Sequence, residues 1–263
     1  MPEILSAAEG LSLVVVCATG VNNVDLDAAL ANGITVCNVV DYSTPIVAQH
    51  AISLLLNLAG NTHRYASEAE LWPESPIFTR LDHPVAELDG KLFGIAGAGN
   101  IGCRAGEIAV ALGMNVQVLA RPGSLTARHP EWPRVDADTF FSSSDAISLH
   151  CPLTDDTQHM VNAATLRQMK GDAFLVNTAR GPLVDETALA DALRSRSIGG
   201  AALDVLSVEP PPADYPLLAG DIPNLIITPH NAWSSRESRQ RLLDGVADNI
   251  RNFLAGQPSN RVV

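Results

Sequence analysis

The stretch Phe93-Gly94-Ile95-Ala96-Gly97-Ala98-Gly99-Asn100-Ile101-Gly102 decides the fold. Residues 93–96 form a short apolar run that reads as a strand, and residues 101–112 read as a helix closed by Gly113. Between them Gly97, Gly99 and Gly102 fit the pattern GxGxxG. Glycine-rich turns are common, so the pattern alone says little; a strand before it and a helix after it supply the context that it requires. The first glycine permits the tight turn, the second lets the backbone approach a pyrophosphate, and the third lets helix pack closely on strand. N–H groups of Asn100 and Ile101 at the helix N-terminus would then meet the phosphates. The reading is a Rossmann-type dinucleotide-binding domain.

Further strands are expected at 116–120, 146–149, 174–177, 200–204 and 225–228, with helices at 162–169 and 186–194 between some of them. Strands alternating with helices imply parallel pairing, hence an α/β, doubly wound sheet. Upstream, the β-branched run at 11–17 reads as a buried strand ending at Ala18-Thr19-Gly20. A short helix at 25–32 and a strand at 34–39 follow. Ser43-Thr44-Pro45 caps a helix to Gly60 that is apolar nearly all round, so it should be buried, with another subunit as a candidate cover. On that helix Gln49 and His50 read as packing residues. Residues 61–89 are polar, carry Pro73, Pro76 and Pro84, and read as an extended arm or linker; 234–254 reads as a long terminal helix. The expected organisation is 1–89 as a partial substrate domain with an arm, 90–232 as the dinucleotide domain, and 233–263 returning to the first.

The second nucleotide-domain strand closes on Leu119-Ala120-Arg121-Pro122-Gly123, with no acid between Asn115 and Ser124. A site for NAD holds the ribose 2′-hydroxyl with an acid about 20 positions beyond the glycine turn, and a nearby arginine accommodates a 2′-phosphate. Arg121 therefore favours NADP(H) over NAD(H). The alternative is an arginine facing solvent, or stacked on adenine without phosphate preference.

Of the 263 residues, 46% are hydrophobic and 17% charged, with a formal net charge of −12. An acidic surface repels phosphate backbones, which argues against nucleic-acid partners. The spacing of Cys17, Cys37, Cys103 and Cys151 forms neither a metal knuckle nor a CxxC pair, so they read as buried free thiols in a reducing compartment. No basic-plus-apolar leader and no apolar run near membrane length is seen, so a soluble, cytoplasmic protein is expected. The scatter of His50, His63, His83, His129, His150 and His159 argues against a metal site.

Several segments together carry a resemblance: ATGVNNVDLDAA (18–29), VCNVVDYSTPIVAQHA (36–51), GIAGAGNIG (94–102), LHCPLTDDTQHM (149–160), LVNTARGPLVDETALADAL (175–193), ALDVLSVEPPP (202–212) and ITPHNAWSS (227–235). In this order they resemble the D-isomer-specific 2-hydroxyacid dehydrogenase family, and most of all its glycerate dehydrogenase/hydroxypyruvate reductase branch. The resemblance implies reversible hydride transfer between nicotinamide and C2 of a small 2-oxo acid, such as hydroxypyruvate or glyoxylate. It implies that Arg180 holds the substrate carboxylate, for which a planar fork is suited. It makes His230 the acid and base at the carbonyl oxygen and Glu209 its partner, since a carboxylate favours the imidazolium. Thr19, Gly20 and Val21 would offer backbone N–H groups to the substrate carboxylate. Cys151 and Pro152 would border the adenosine, Thr157 would reach toward the pyrophosphate, and Thr178 and Ala179 would lie beside the nicotinamide with Arg180 and His230. Asp204 would accept from the carboxamide, or else cap a turn. Ala232 and Trp233 would close on the ring. A homodimer is implied as well, with the helix ending at Gly60 and the arm after it at the interface.

Family members begin with a fuller, flavodoxin-like substrate domain. Against them this chain is expected to lack about 50 residues, roughly two strand–helix units, leaving a truncated second domain and exposing the strand at 11–17. Poor solubility or an altered oligomer is the expected consequence. Three function classes follow: an active NAD(P)-dependent dehydrogenase, a catalytically silent dinucleotide-binding module, and a nucleotide-dependent interaction protein. The intact Arg180, Glu209 and His230 set favours the first.

Overall fold

The computed structural model describes residues 2–121, 128–222 and 224–263. In chain order the elements are α1 (Pro2–Ala7), β1 (Leu13–Val15), α2 (Leu26–Ala31), β2 (Thr35–Cys37), α3 (Thr44–Gly60), α4 (Thr62–Ser67), β3 (Leu92–Ala96), α5 (Asn100–Ala111), β4 (Asn115–Leu119) and β5 (Arg134–Val135). They continue with α6 (Ala137–Ser143), β6 (Ala146–Leu149), α7 (Ala163–Gln168), β7 (Phe174–Asn177), α8 (Glu186–Arg194), β8 (Gly200–Leu203), β9 (Leu225–Ile227) and α9 (Arg236–Leu254). The chain divides into two compact units, Met1–Ile46 with Trp233–Val263, and Val47–Ala232.

The larger unit is built on a seven-stranded parallel sheet in the order β5-β4-β3-β6-β7-β8-β9. The chain winds outward from β3 through β4 to β5, then returns to pair β6 on the other side of β3. The order reverses there, and in such sheets ligands bind beyond the carboxyl ends of the strands at that reversal. Successive residues feed opposite faces, as the two-residue period of a strand demands. Ile147, Leu175 and Ala201 join Phe140, Leu189 and Leu193 in one core. Their neighbours Ala146, Val176 and Ala202 join Ile52, Leu55, Phe93 and Ile95 in the other. With both faces covered, these strands are nearly continuous apolar runs. From Val47 onward α3 belongs to this unit, and Ala48, Ala51, Leu54 and Leu58 bury its apolar side in the second core. The compact division thus falls at 46/47, ahead of the 89/90 boundary expected from sequence.

Three features differ from the sequence reading. Residues 61–89 are not one extended arm: α4 and a 3-10 turn at Ala69–Glu74 fold part of the segment back on itself. Polar ties do this. Arg80 donates to the Glu68 carbonyl at 2.9 Å, His83 Nε2 lies 2.9 Å from Glu68 Oε2, and the Tyr65 hydroxyl donates to the His83 carbonyl at 2.9 Å. Such anchors leave no hydrophobic period to read. The short β5 and α6, the latter capped by Asp136 accepting from Thr139 N, went unforeseen for the same lack of periodicity. Cys17 is exposed and Cys151 half-buried, and only Cys37 and Cys103 are buried thiols.

In the smaller unit β1 and β2 pair in parallel. The other edge of β2 is taken by the chain end: Val262 N donates to Val36 O at 2.7 Å, and Arg261 bridges Cys37 antiparallel. Helix α9 lies close against residues 38–42. Asn249 Nδ2 donates to Asn38 O at 2.7 Å, Arg241 Nε donates to Tyr42 O at 2.8 Å, and a Cβ at Gly245 would stand 2.6 Å from Val39. Among the described residues no helix is long and apolar enough to cross a membrane, and no group of three His, Cys, Asp or Glu is placed to hold a metal ion.

Candidate active site

The three glycines of the turn after β3 meet three different demands. Gly97 has φ +101°, a conformation closed to L side chains, and a Cβ there would stand 2.5 Å from Cys151 N and 2.6 Å from the carbonyl carbon of His150. The ends of β3 and β6 can touch only because Gly97 has no side chain. A Cβ at Gly102 would run into the carbonyl oxygen of Gly97, so α5 leans directly on the turn. Gly99 has nothing within 4 Å of its would-be Cβ. Packing therefore dictates the first and third glycines, whereas the second borders open space at the start of α5, where an anionic ligand is favoured.

Arg180, Glu209 and His230 follow β7, β8 and β9, three adjacent strands, at their carboxyl ends. Buried Asn177 shapes the first loop. Its Oδ1 accepts from Ala179 N at 3.0 Å and its Nδ2 donates to Arg180 O at 2.8 Å, folding residues 178–180 into a turn. Arg180 Nη1 donates to Ala179 O at 2.7 Å. A Cβ on Gly181 would collide with the backbone of Leu206 and Ser207, so this loop lies directly on the next. Thr178 Oγ1 is buried and has no hydrogen-bond partner among the described residues. An orphan hydroxyl in this position fits a polar group supplied by a bound dinucleotide.

The loop after β8 presents Glu209. Its Oε1 accepts from Leu206 N at 2.8 Å, and its Oε2 lies 2.7 Å from His230 Nδ1. Glu186, in the first turn of α8, accepts from Ser207 N at 2.7 Å and from the Tyr215 hydroxyl. Burial, helped by that carboxylate, pushes Tyr215 up to about 12, so it remains a donor at working pH. Glu209 and His230 wall a cleft of about 440 Å³ whose other lining includes Leu206, Pro210, Leu218 and Pro229.

His230 has φ +49°, a left-handed conformation that for a residue other than glycine costs about 1 kcal/mol or more. Asp204, 1% exposed, sustains it. Its carbonyl accepts from His230 N at 2.8 Å, Oδ1 accepts from Asn231 N at 3.1 Å, and Oδ2 from Ala232 N at 2.9 Å. The Thr228 hydroxyl donates to Oδ1 as well. Burial is the largest single influence on the Asp204 carboxyl and raises it. Hydrogen bonds from His50, Thr228, Ala232 and Asn231 together outweigh burial and hold the group below its ordinary value. The turn-capping alternative raised for Asp204 is thus seen directly, and it is compatible with a further acceptor role.

Partly exposed His150, at the end of β6, accepts or donates to Ser148 Oγ at 2.9 Å, and loss of solvation pulls it to about 4 from the ordinary 6.5. An imidazole with a folded value below its unfolded one binds its proton more readily when unfolded. Its stability contribution is therefore present above pH 6.5 and is lost as pH falls from 6.5 toward 4. We expect unfolding free energy to drop on the order of 2 kcal/mol across that window. Thermal melts of His150→Gln against the unsubstituted chain check this: the variant should be flatter between those pH values, and parallel curves would refute the assignment.

The remaining sequence-derived positions are spread more widely. Cys151 lies beside Gly97 at the strand reversal, and Pro152 follows it in the chain. Thr157 turns its hydroxyl back into its own loop, donating to Pro152 O at 2.8 Å and accepting from Thr154 N at 2.8 Å, so it shapes that loop rather than standing clear of it. Arg121 is exposed beyond the end of β4, and Pro122 and Gly123 lie outside the described residues. Thr19, Gly20, Val21 and Trp233 belong to the smaller unit, where Thr19 Oγ1 donates to Val39 O at 3.2 Å. Sequence reasoning missed Asn177 and Gly181 as builders of the site. An Asn ending a strand just before a Thr-Ala-Arg-Gly turn was the available signal for both.

The description "D-isomer specific 2-hydroxyacid dehydrogenase, NAD binding domain" belongs to the family whose model matches residues 52–232. The chain is 41% identical over 262 residues to a glycerate dehydrogenase of Methylorubrum extorquens, covering 99% of this chain and 81% of that protein. It is 40% identical over 262 residues to a hydroxypyruvate reductase of Blautia hydrogenotrophica, with the same coverage. Among solved structures, an acyclic imino acid reductase (Bsp5) in complex with NADPH and D-Arg superposes with a TM-score of 0.90 at 30% identity, covering 100% of this chain and 82% of that one.

Proposed function

The chain belongs to the D-isomer-specific 2-hydroxyacid dehydrogenase family, and from that premise we propose that it interconverts hydroxypyruvate or glyoxylate with D-glycerate or glycolate, favouring NADP(H) over NAD(H). It is an NAD(P)-dependent oxidoreductase of small hydroxy acids. The observation that carries the reaction is the 2.7 Å pairing of His230 Nδ1 with Glu209 at the ends of adjacent strands. When bound, the dinucleotide supplies or receives the hydride at C2.

His230 gives a proton from Nε2 to the carbonyl oxygen in reduction and takes it back in oxidation, while Glu209 accepts from Nδ1 and compensates the imidazolium. Arg180 holds the substrate carboxylate. Backbone N–H groups of Thr19, Gly20 and Val21 bind the same carboxylate. Gly97, Gly99, Asn100, Ile101 and Gly102 cradle the pyrophosphate, with the loop shaped by Thr157 beside it. Cys151 and Pro152 border the adenosine; Thr178, Ala179 and Ala232 flank the nicotinamide, and Asp204 accepts from its carboxamide. The domain roles read from sequence, with dinucleotide binding in 90–232, belong to this proposal. A silent dinucleotide module is the less favoured reading, because the acid–base pair is fully formed and the relatives are named for turnover.

The cofactor preference rests on Arg121 and on the absence of an acid after β4. Following NADPH and NADH oxidation with hydroxypyruvate tests both parts. We expect higher kcat/KM with NADPH, and Arg121→Ala should lower that value about tenfold while leaving the NADH value within about twofold. Clear NADH preference would remove the cofactor assignment, and no turnover with either would remove the reaction. We also infer a cytoplasmic homodimer joined through the arm, where Trp72, Ile77, Phe78 and Leu81 are exposed, Phe78 to 90%. Sedimentation as a monomer at micromolar concentration would count against it.

A further inference from the structure

His50 has no part in the roles assigned above. It lies on α3 with its side chain 23% exposed, Nε2 standing 3.1 Å from Thr228 Oγ1 and 3.5 Å from Asp204 Oδ1. Thr228 has one hydroxyl proton and gives it to Asp204, so toward His50 its oxygen must accept. That assigns the Nε2 proton to His50 and makes a chain running from His50 through Thr228 to Asp204. At its far end Asp204 gathers three successive backbone N–H groups, those of His230, Asn231 and Ala232. The residue in the left-handed conformation is the first of those three.

We propose that His50 is a positioning residue for His230: donating through Thr228, it keeps Asp204 an anionic clamp on the turn that aims the imidazole. Burial raises the Asp204 carboxyl, and His50 heads the hydrogen-bond donors that together hold it below its ordinary value. A neutral carboxyl carries a proton on one oxygen and cannot accept from Asn231, Ala232 and Thr228 with the same strength. The turn would then loosen where its backbone is least comfortable. The catalytic consequence rests on the dehydrogenase reading, whereas the structural consequence does not.

The test compares His50→Leu, which fills the space without a donor, with His50→Gln, which restores a donor at similar reach. Amide hydrogen exchange at residues 230–232, dinucleotide affinity and kcat are measured on each. In His50→Leu the three amides should exchange about tenfold faster and kcat should fall about tenfold, with dinucleotide affinity within about twofold. His50→Gln should return exchange and kcat to within about threefold of the unsubstituted chain. If His50→Leu does not fold, Thr228→Val removes the middle link and should raise the same exchange rates; where both fold, the double variant should behave like either single one. Unchanged exchange at 230–232, or equal damage from Leu and Gln, would overturn the proposal. So would a fall in dinucleotide affinity matching that in kcat, because His50 would then act on the cofactor instead. Failure of the unsubstituted chain to reduce any 2-oxo acid would sink the dehydrogenase reading and leave the exchange test standing.

Discussion

Replacing His230 with asparagine should lower kcat for 2-oxo acid reduction by about a thousandfold while changing the melting temperature little. Asparagine is the informative choice because the backbone at 230 has φ +49°, and among residues with a side chain it tolerates that region best. Its N–H would still be accepted by the Asp204 carbonyl, so the turn keeps its clamp. What disappears is the imidazole that pairs with Glu209 Oε2 through Nδ1 and can present a proton at the opposite ring nitrogen. Alanine would mix this loss with a conformational penalty. Steady-state kinetics with saturating dinucleotide, run beside a thermal melt, separate the two. A variant that retains more than about a tenth of the original kcat would mean that another group protonates the carbonyl.

The second large effect concerns the glycine turn and can be split between two neighbouring positions. Gly97→Ala should destabilise the fold by about 3–5 kcal/mol, since an L residue is strained there and its Cβ meets the backbone of Cys151 and His150, which cannot rotate away. For a chain of this length that lowers the melting temperature by about 10 °C. Gly99→Ala should leave the melt nearly unaltered, because its Cβ meets nothing within 4 Å. It should nevertheless weaken dinucleotide binding by about ten- to a hundredfold, since its methyl occupies the space through which a pyrophosphate approaches the backbone. Melts and fluorescence titrations on the pair give a crossed pattern. A Gly99→Ala variant that binds normally would show that this face of the turn is not where phosphate sits.

The parallel sheet was legible because its signal is local. The apolar runs at 146–149 and 174–177 are strands with those same bounds, and the helix at 186–194 is found as expected. The glycine turn was legible from its spacing between strand and helix, although the neighbours that forbid a side chain at Gly97, His150 and Cys151, lie far along the chain. The extended reading of 61–89 failed because Glu68, Arg80 and His83 organise the segment through polar ties that carry no periodicity. At the site, Arg180, Glu209 and His230 were found through motif order. One of their supports was hidden in a long-range pairing, that of His50 with Thr228, for which a single sequence holds no local mark. His50 was read as packing because it sits on an apolar helix, and only the fold reveals which polar group it meets.

The pairing of Val36 with Val262 and Val263 has a consequence in the order of synthesis. Residues 47–232 are contiguous, so on leaving the ribosome they can complete their own sheet without waiting for anything downstream. Residues 1–46 are made before that block yet receive strand partners and the whole of α9 only after residues 233–263 have followed it. Throughout that interval the cluster of Val16, Ile34 and Val36 lacks Val262 and Val263, and it is that much more open to water and to other nascent chains.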